Sequence, residues 1–202
     1  MTQSKPPVAQ DSKDYVPASP PQFSEAEKHG IQNALSHYLP NELLCTRAAF
    51  GGSRLTYVEG WRVISIANQI FGFNGWSSTI KDTNVDFVMS PDNRYSLGLS
   101  CTVRVTLKDG SCHEDVGYGS IDNAKTKAQA FEKAKKEAVT DGLKRALRMF
   151  GNALGNCLYD KEYLKQLGRF SVQKVSHSSV SYIHIIPQTS KWTTPLPTSL
   201  AY

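Results

Sequence analysis

The chain is predicted to adopt an α+β fold: an antiparallel sheet of β-β-β-α type with one long basic helix packed on it, an arrangement like that of double-stranded-RNA-binding modules. Three features predict it. From Tyr95 to Leu107 every odd position is apolar, while the even positions are Ser96, Gly98, Ser100, Thr102, Arg104 and Thr106. A period of two puts one strand face in a core and the other in water. Asp109-Gly110 follows, a two-residue hairpin signal that turns the chain into an antiparallel neighbour. Finally, no proline interrupts the stretch from Ala124 through Phe150, and Ala124, Ala128, Phe131, Ala138, Gly142, Ala146 and Met149 share one side of a helical wheel. So small a face suits a helix lying close on a sheet. Close packing there would offset the roughly 1 kcal/mol that a mid-helix glycine such as Gly142 costs.

Residues 1–22 hold five of the ten prolines and little that can pack, and are expected to be a disordered arm. Ser24-Glu25-Ala26-Glu27 has capping-box spacing. It opens a short helix with Ile31, Leu35 and Leu39 on one face, ending before Pro40. Asn41 is expected to begin a further turn through Leu43 and Leu44 to Arg47. A glycine break at Phe50 to Arg54 precedes a short strand at Leu55 to Val58. Gly60 to Phe71 reads as a helix with Val63, Ile66, Ala67 and Ile70 inward and Gly72 as its stop. Two short strands, Trp76 to Ile80 and Val85 to Met89, come before the alternating one.

Across the hairpin, pairing Leu107 with Cys112 would set Val103 opposite Val116 inside and Arg104 opposite Asp115 outside. That register turns Glu114 inward without an evident partner. Gly117-Tyr118-Gly119 is expected to close the sheet. After Gly155 a short closing helix would use Tyr159, Tyr163, Leu164 and Leu167, with Lys161 and Lys165 four apart on it. Residues 171–202 are rich in serine and threonine and have no acidic residue, which reads as a disordered tail. One domain, 23–170, is left between arm and tail, in keeping with a chain of 202 residues.

Charge points to a partner. Between Lys125 and Arg148 there are eight basic and three acidic residues, and the difference of +5 equals the formal charge of the whole chain. Lysine-rich helices are often no more than solvated faces. Yet Lys144, Arg145 and Arg148 put three cations within one and a half turns, which resembles a phosphate clamp and suggests a polyanion.

Other chemistries find little support. No G-x-x-x-x-G-K-[ST] loop is present, and the glycines of Phe71 to Gly75 and Gly151 to Gly155 lack the strand-to-helix setting of a dinucleotide site. No cofactor is expected. Asp109, His113, Glu114 and Asp115 raise the idea of a metal-dependent nuclease, but alternate residues of a strand face opposite ways. Cys45, Cys101, Cys112 and Cys157 form no C-x-x-C pair, so neither zinc nor a disulfide framework is implied. No apolar run approaches the roughly 20 residues of a membrane span, and MTQSKPPVAQ has no secretory core. The expectation is a protein of nucleus or cytosol that is not an enzyme and has no membrane partner.

The segments YVEGWRV, FGFNGW, NVDFV, VRVTLKDGSCHEDVGYG, EKAKKEAVTDGLKRALRMFGNALGN and YDKEYL resemble the N-terminal domain of the Rad52/Rad22 family of eukaryotic homologous-recombination proteins, over roughly residues 24 to 168. The resemblance implies nuclear rings with a cationic outer groove that holds single-stranded DNA and anneals complementary strands without ATP. By position, it implies an inner groove of Arg47, Tyr57, Lys144, Arg145 and Arg148. A second, outer DNA site would comprise Arg94, Lys125, Lys161 and Lys165. The partners implied are single-stranded DNA, further copies of the chain and a full-length paralogue. Replication protein A and a RecA-like recombinase, which bind the family's C-terminal half, belong to the same set, although the resemblance stops near Phe170. The alternative function is a regulatory subunit of mixed rings without annealing of its own.

Overall fold

The computed structural model describes residues 21–169 other than 49 and 53. The tail expected over 171–202, and all but the last two residues of the arm expected over 1–22, lie outside these. Ser24 caps the first helix, α1 (Glu25–Ser36), through the reciprocal capping box that its spacing predicts. Glu27 also meets a residue distant in sequence, Lys108, whose Nζ donates to its carboxylate at 3.0 Å. Beyond Pro40 the expected helical turn is a single 3₁₀ turn, Asn41–Leu43, and the chain then becomes strand β1 (Leu44–Ala48). β1 pairs antiparallel with β2 (Arg54–Val58). Thr46 and Arg47 thus belong to a strand and not to a helix, because the partner that claims their backbone lies several residues further on. Helix α2 (Gly60–Phe71) buries Val63, Ile66, Ala67 and Ile70 as its pattern predicts and stops at Gly72, whose φ is 85°.

The second sheet has the order β3-β4-β5 and is antiparallel throughout. β3 (Trp76–Met89) is one strand of 14 residues where two were expected, and it bends past register shifts between Ile80 and Asp82 and between Val85 and Phe87. Bulges let the intervening polar residues stay in the ladder. β4 (Tyr95–Leu107) buries Leu97, Leu99, Cys101, Val103 and Val105 almost completely, as its alternation requires.

β5 (Cys112–Ala124) lies one residue out of the expected register. Leu107 N–H donates to the Ser111 carbonyl at 2.8 Å, and Gly110, at φ 90°, donates to the Leu107 carbonyl at 2.9 Å. The loop is therefore the three residues Lys108-Asp109-Gly110, with glycine in the left-handed position, and not the two-residue turn. A slip of one residue turns every side chain to the other face. Arg104 consequently pairs with Glu114 on the wet face, Val103 stands opposite Asp115, and Val116 is exposed. Glu114 has an ordinary ion-pair partner after all. Nor do Gly117 and Gly119 close the sheet: they lie mid-strand, buried beneath the long helix.

That helix, α3 (Lys127–Arg148), begins after Thr126, whose hydroxyl accepts from Gln129 N–H at 3.2 Å. Its buried row is Ala130, Ala134, Ala138, Gly142 and Ala146, joined by Leu147. Ala128 and Met149, expected on that face, are exposed, and Ala124 belongs to β5. Rows of residues four apart slant across a helix axis, so the face that meets β4 and β5 follows the slant and not the wheel drawn from Ala124. After two short 3₁₀ turns, α4 (Lys161–Arg169) seats Leu167 in the core shared by α1, α2 and the hairpin end of β4. A separate cluster joins the other half of β4 to the first turns of α3.

Two predictions follow from these contacts. A Cβ at Gly117 would lie 2.1 Å from the Ala138 carbonyl oxygen, whereas Gly30, inside α1, has nothing within 4 Å. Gly117→Ala should lower the urea-unfolding free energy by about 1–3 kcal/mol, and Gly30→Ala should raise it by about 0.5–1 kcal/mol. The Glu27 carboxyl is held at about 2, first by the Ser24 backbone N–H and then by Lys108. Because this lies below its unfolded value of 4.5, its contribution is full above about pH 4.5 and is lost as pH falls through about 2. Glu27→Gln should flatten the fall of the urea midpoint across that window.

Candidate nucleic-acid interface

The β1–β2 hairpin places a cation beside an aromatic ring. Cys45 pairs with Tyr57 and Arg47 with Leu55, so Arg47 and Tyr57 are diagonal neighbours on one face. The Arg47 guanidinium lies 5.6 Å from the Tyr57 ring centroid. From the last turns of α3, Lys144 Nζ comes to 5.9 Å of the same ring. Both distances fall within cation–π range. Neither Arg47 nor Lys144 has a carboxylate partner among the described residues.

These two cations line an open groove of about 900 Å³ with Lys133 and Lys136 of α3 and Tyr118 of β5. The groove's acidic residues are already engaged. Glu132 takes Lys136 at 2.6 Å, while Asp141 and Glu137 accept the Tyr118 and Ser120 backbone N–H groups at 3.2 and 3.4 Å. Those N–H groups belong to the outer edge of β5, so the helix carboxylates serve to cap an edge strand. Arg47, Lys133 and Lys144 thus line the groove without a carboxylate partner among the described residues, while Glu137 and Asp141 keep their negative charge against backbone N–H groups.

Arg145 and Arg148 are differently placed. Both turn to Asp115 on β5: Arg145 Nε donates to Oδ1 at 3.1 Å and Arg148 Nη2 to Oδ2 at 3.2 Å. The Arg148 guanidinium also lies 4.3 Å from the Tyr159 ring centroid. Burial works against the Arg145 charge, but the hydrogen bond and negative charge of Asp115 more than offset it and raise its pKa. The structure thus divides the expected inner set into Arg47, Tyr57 and Lys144 on one side and an Asp115-tied arginine pair on the other. Asp115 and Tyr159 were not among the expected site residues. A glycine at the third position of the hairpin loop was the signal that would have turned Asp115 toward the helix.

The expected outer set is not gathered within one chain. Tyr95 pairs with Ala124, which puts Arg94 and Lys125 side by side at one end of the sheet. Lys161 and Lys165 lie on α4, whose Leu167 belongs to the same core cluster as Val105 and Leu107 at the hairpin end of β4, and Lys165 is paired with Glu162 at 2.6 Å. Thirteen residues of β4 separate the two ends, about 40 Å at the usual strand rise.

The hairpin residues that raised the idea of a nuclease do not converge: Asp115 meets the helix arginines while Glu114 meets Arg104 on the opposite face. Among the described residues no three of His, Cys, Asp or Glu form a group able to hold a metal ion. Burial pushes up the Cys45 and Cys157 thiols. No described helix is long and apolar enough to cross a membrane.

The chain is 55% identical over 149 residues to the DNA repair and recombination protein rad22 of Schizosaccharomyces pombe, covering 73% of this chain and 32% of that protein. To RAD52 of Saccharomyces cerevisiae it is 52% identical over 139 residues, 69% of this chain and 30% of that one. To radC of Emericella nidulans it is 48% identical over 164 residues, 80% of this chain and 28% of that one. The chain thus spans about a third of the length of these relatives. The model of the Rad52/22 family of double-strand break repair proteins matches residues 27–177, three-quarters of the sequence, and the chain belongs to that family.

Proposed function

We propose that this chain binds single-stranded DNA and anneals complementary strands in homologous recombination and double-strand break repair. It acts in the nucleus, without ATP or a catalytic centre, as a closed ring of copies. The observation that carries the reading is Tyr57 with Arg47 and Lys144 beside it, two cations with no carboxylate to satisfy them. Such a cluster grips sugar-phosphate and offers an aromatic face without reading base edges. Bases left unread stay free to test a second strand. The relatives are named as DNA repair and recombination proteins, which accords with this.

Self-assembly is supported by β3. It forms an edge of its sheet, yet Ile80, Val85, Phe87, Val88 and Met89 are all substantially exposed on it. Long apolar edges are normally covered, and a further copy of the chain is the cover this reading assigns. In sedimentation velocity the wild-type chain should run as a closed oligomer and Ile80→Lys/Val88→Lys as smaller species. A monomeric wild type would defeat the ring.

Annealing is tested by mixing complementary fluorophore-labelled oligonucleotides with the protein, without nucleotide and in EDTA. Pairing should be faster than in protein-free controls, and single strands should be preferred to duplex; the double-stranded-RNA-type alternative requires the opposite preference. Lys144→Ala should weaken binding to every sequence alike and make the log-affinity against log-salt slope shallower by about 0.7. A loss that depended on sequence would contradict a phosphate contact.

A further inference from the structure

We propose that Asp115 is a built-in competitor for phosphate, holding Arg145 and Arg148 with the two oxygens that a DNA phosphate would otherwise offer them. The inference rests on the single-strand-binding reading of the same groove and concerns how hard that groove grips.

The geometry is that of a bidentate anion. One carboxylate oxygen takes Arg145 Nε at 3.1 Å and the other takes Arg148 Nη2 at 3.2 Å. A phosphodiester presents its two non-bridging oxygens to guanidinium groups in the same fashion. The arginines remain within reach of solvent, with side chains 39% and 20% exposed, while Asp115 is 19% exposed. Asp115 is fixed from behind, since it sits on the helix-facing side of β5 two residues before Gly117, where strand and helix backbones touch. Its Oδ1 also accepts from the Val116 backbone N–H at 2.8 Å, which ties the carboxylate to its own strand. An arriving phosphate must therefore share the pair with Asp115.

Charge arithmetic gives the consequence. Arg47, Lys144, Arg145 and Arg148 supply four positive charges and Asp115 removes one, leaving three. At about −0.7 per phosphate contact on single strands, the salt slope becomes roughly −2 instead of roughly −3. A weaker grip suits a surface on which a strand must shift register while its bases search for a complement.

Asp115→Asn tests this, because it keeps an acceptor oxygen and the shape but removes the charge. Oligonucleotide affinity, measured by fluorescence anisotropy at several salt concentrations, should rise about fivefold at about 0.1 M salt, and the slope should steepen by about 0.7. Asp115→Asn/Arg145→Gln restores the net charge and should return both quantities to near wild type. It also covers the case in which two half-buried arginines without their carboxylate impair folding, which circular dichroism would report. Unchanged or weaker binding by a folded Asp115→Asn would overturn the proposal and leave Asp115 as a residue that only positions the arginines. If the wild-type chain itself ignored oligonucleotides, the single-strand reading would fall, and this inference with it.

Discussion

Where α3 crosses β5, main chain meets main chain. Gly117 and Gly119 lie directly beneath Ala138 and Ala134, so that a Cβ on either glycine would come within about 2.1 Å of a helix carbonyl oxygen. Contact this close is open only to glycine on the strand and to alanine or glycine on the helix, and it fixes both the height and the slant of α3. The contact itself buries little apolar area. Stability comes from the row on β4, whose fully buried Leu97, Leu99, Val103 and Val105 each contribute about 1.5–3 kcal/mol relative to exposure. Strand β5 positions the helix, and β4 supplies the energy that keeps it there.

The charged groups take their places from that crossing. With α3 so low on the sheet, its carboxylates reach the outer edge of β5 and cap the Tyr118 and Ser120 N–H groups. Its last two arginines reach Asp115, and Lys144 is left to turn toward Tyr57. One geometrical constraint thus covers an edge, ties two cations and frees a third. The free edge is at the opposite side of the sheet, on β3, whose apolar residues are the natural counterpart of a capped β5.

Much of this was legible in the chain. The alternation of β4, the capping box of α1 and the inward row of α2 were readable because each depends on residues a few positions apart, and local periodicity is where sequence patterns are strongest. Legible too was the concentration of charge between Lys125 and Arg148. The cluster of Arg47, Tyr57 and Lys144 was reached through family resemblance, since no local pattern connects residues 47 and 57 with residue 144.

Period and composition were enough to specify an α+β chain with one basic, small-faced helix and a sheet of antiparallel strands. Which cations lack a carboxylate partner was settled by how strands and helices meet in three dimensions. The choice turned on whether a hairpin loop holds two residues or three, a difference that sends Asp115 either to solvent or to the arginines. The tertiary structure also decided that Thr46 and Arg47 are strand, through pairing with β2, and that Arg94 and Lys125 lie far from Lys161 and Lys165. Distances of that kind are set by how the sheet and helices pack together, and the linear order of the residues carries no record of them.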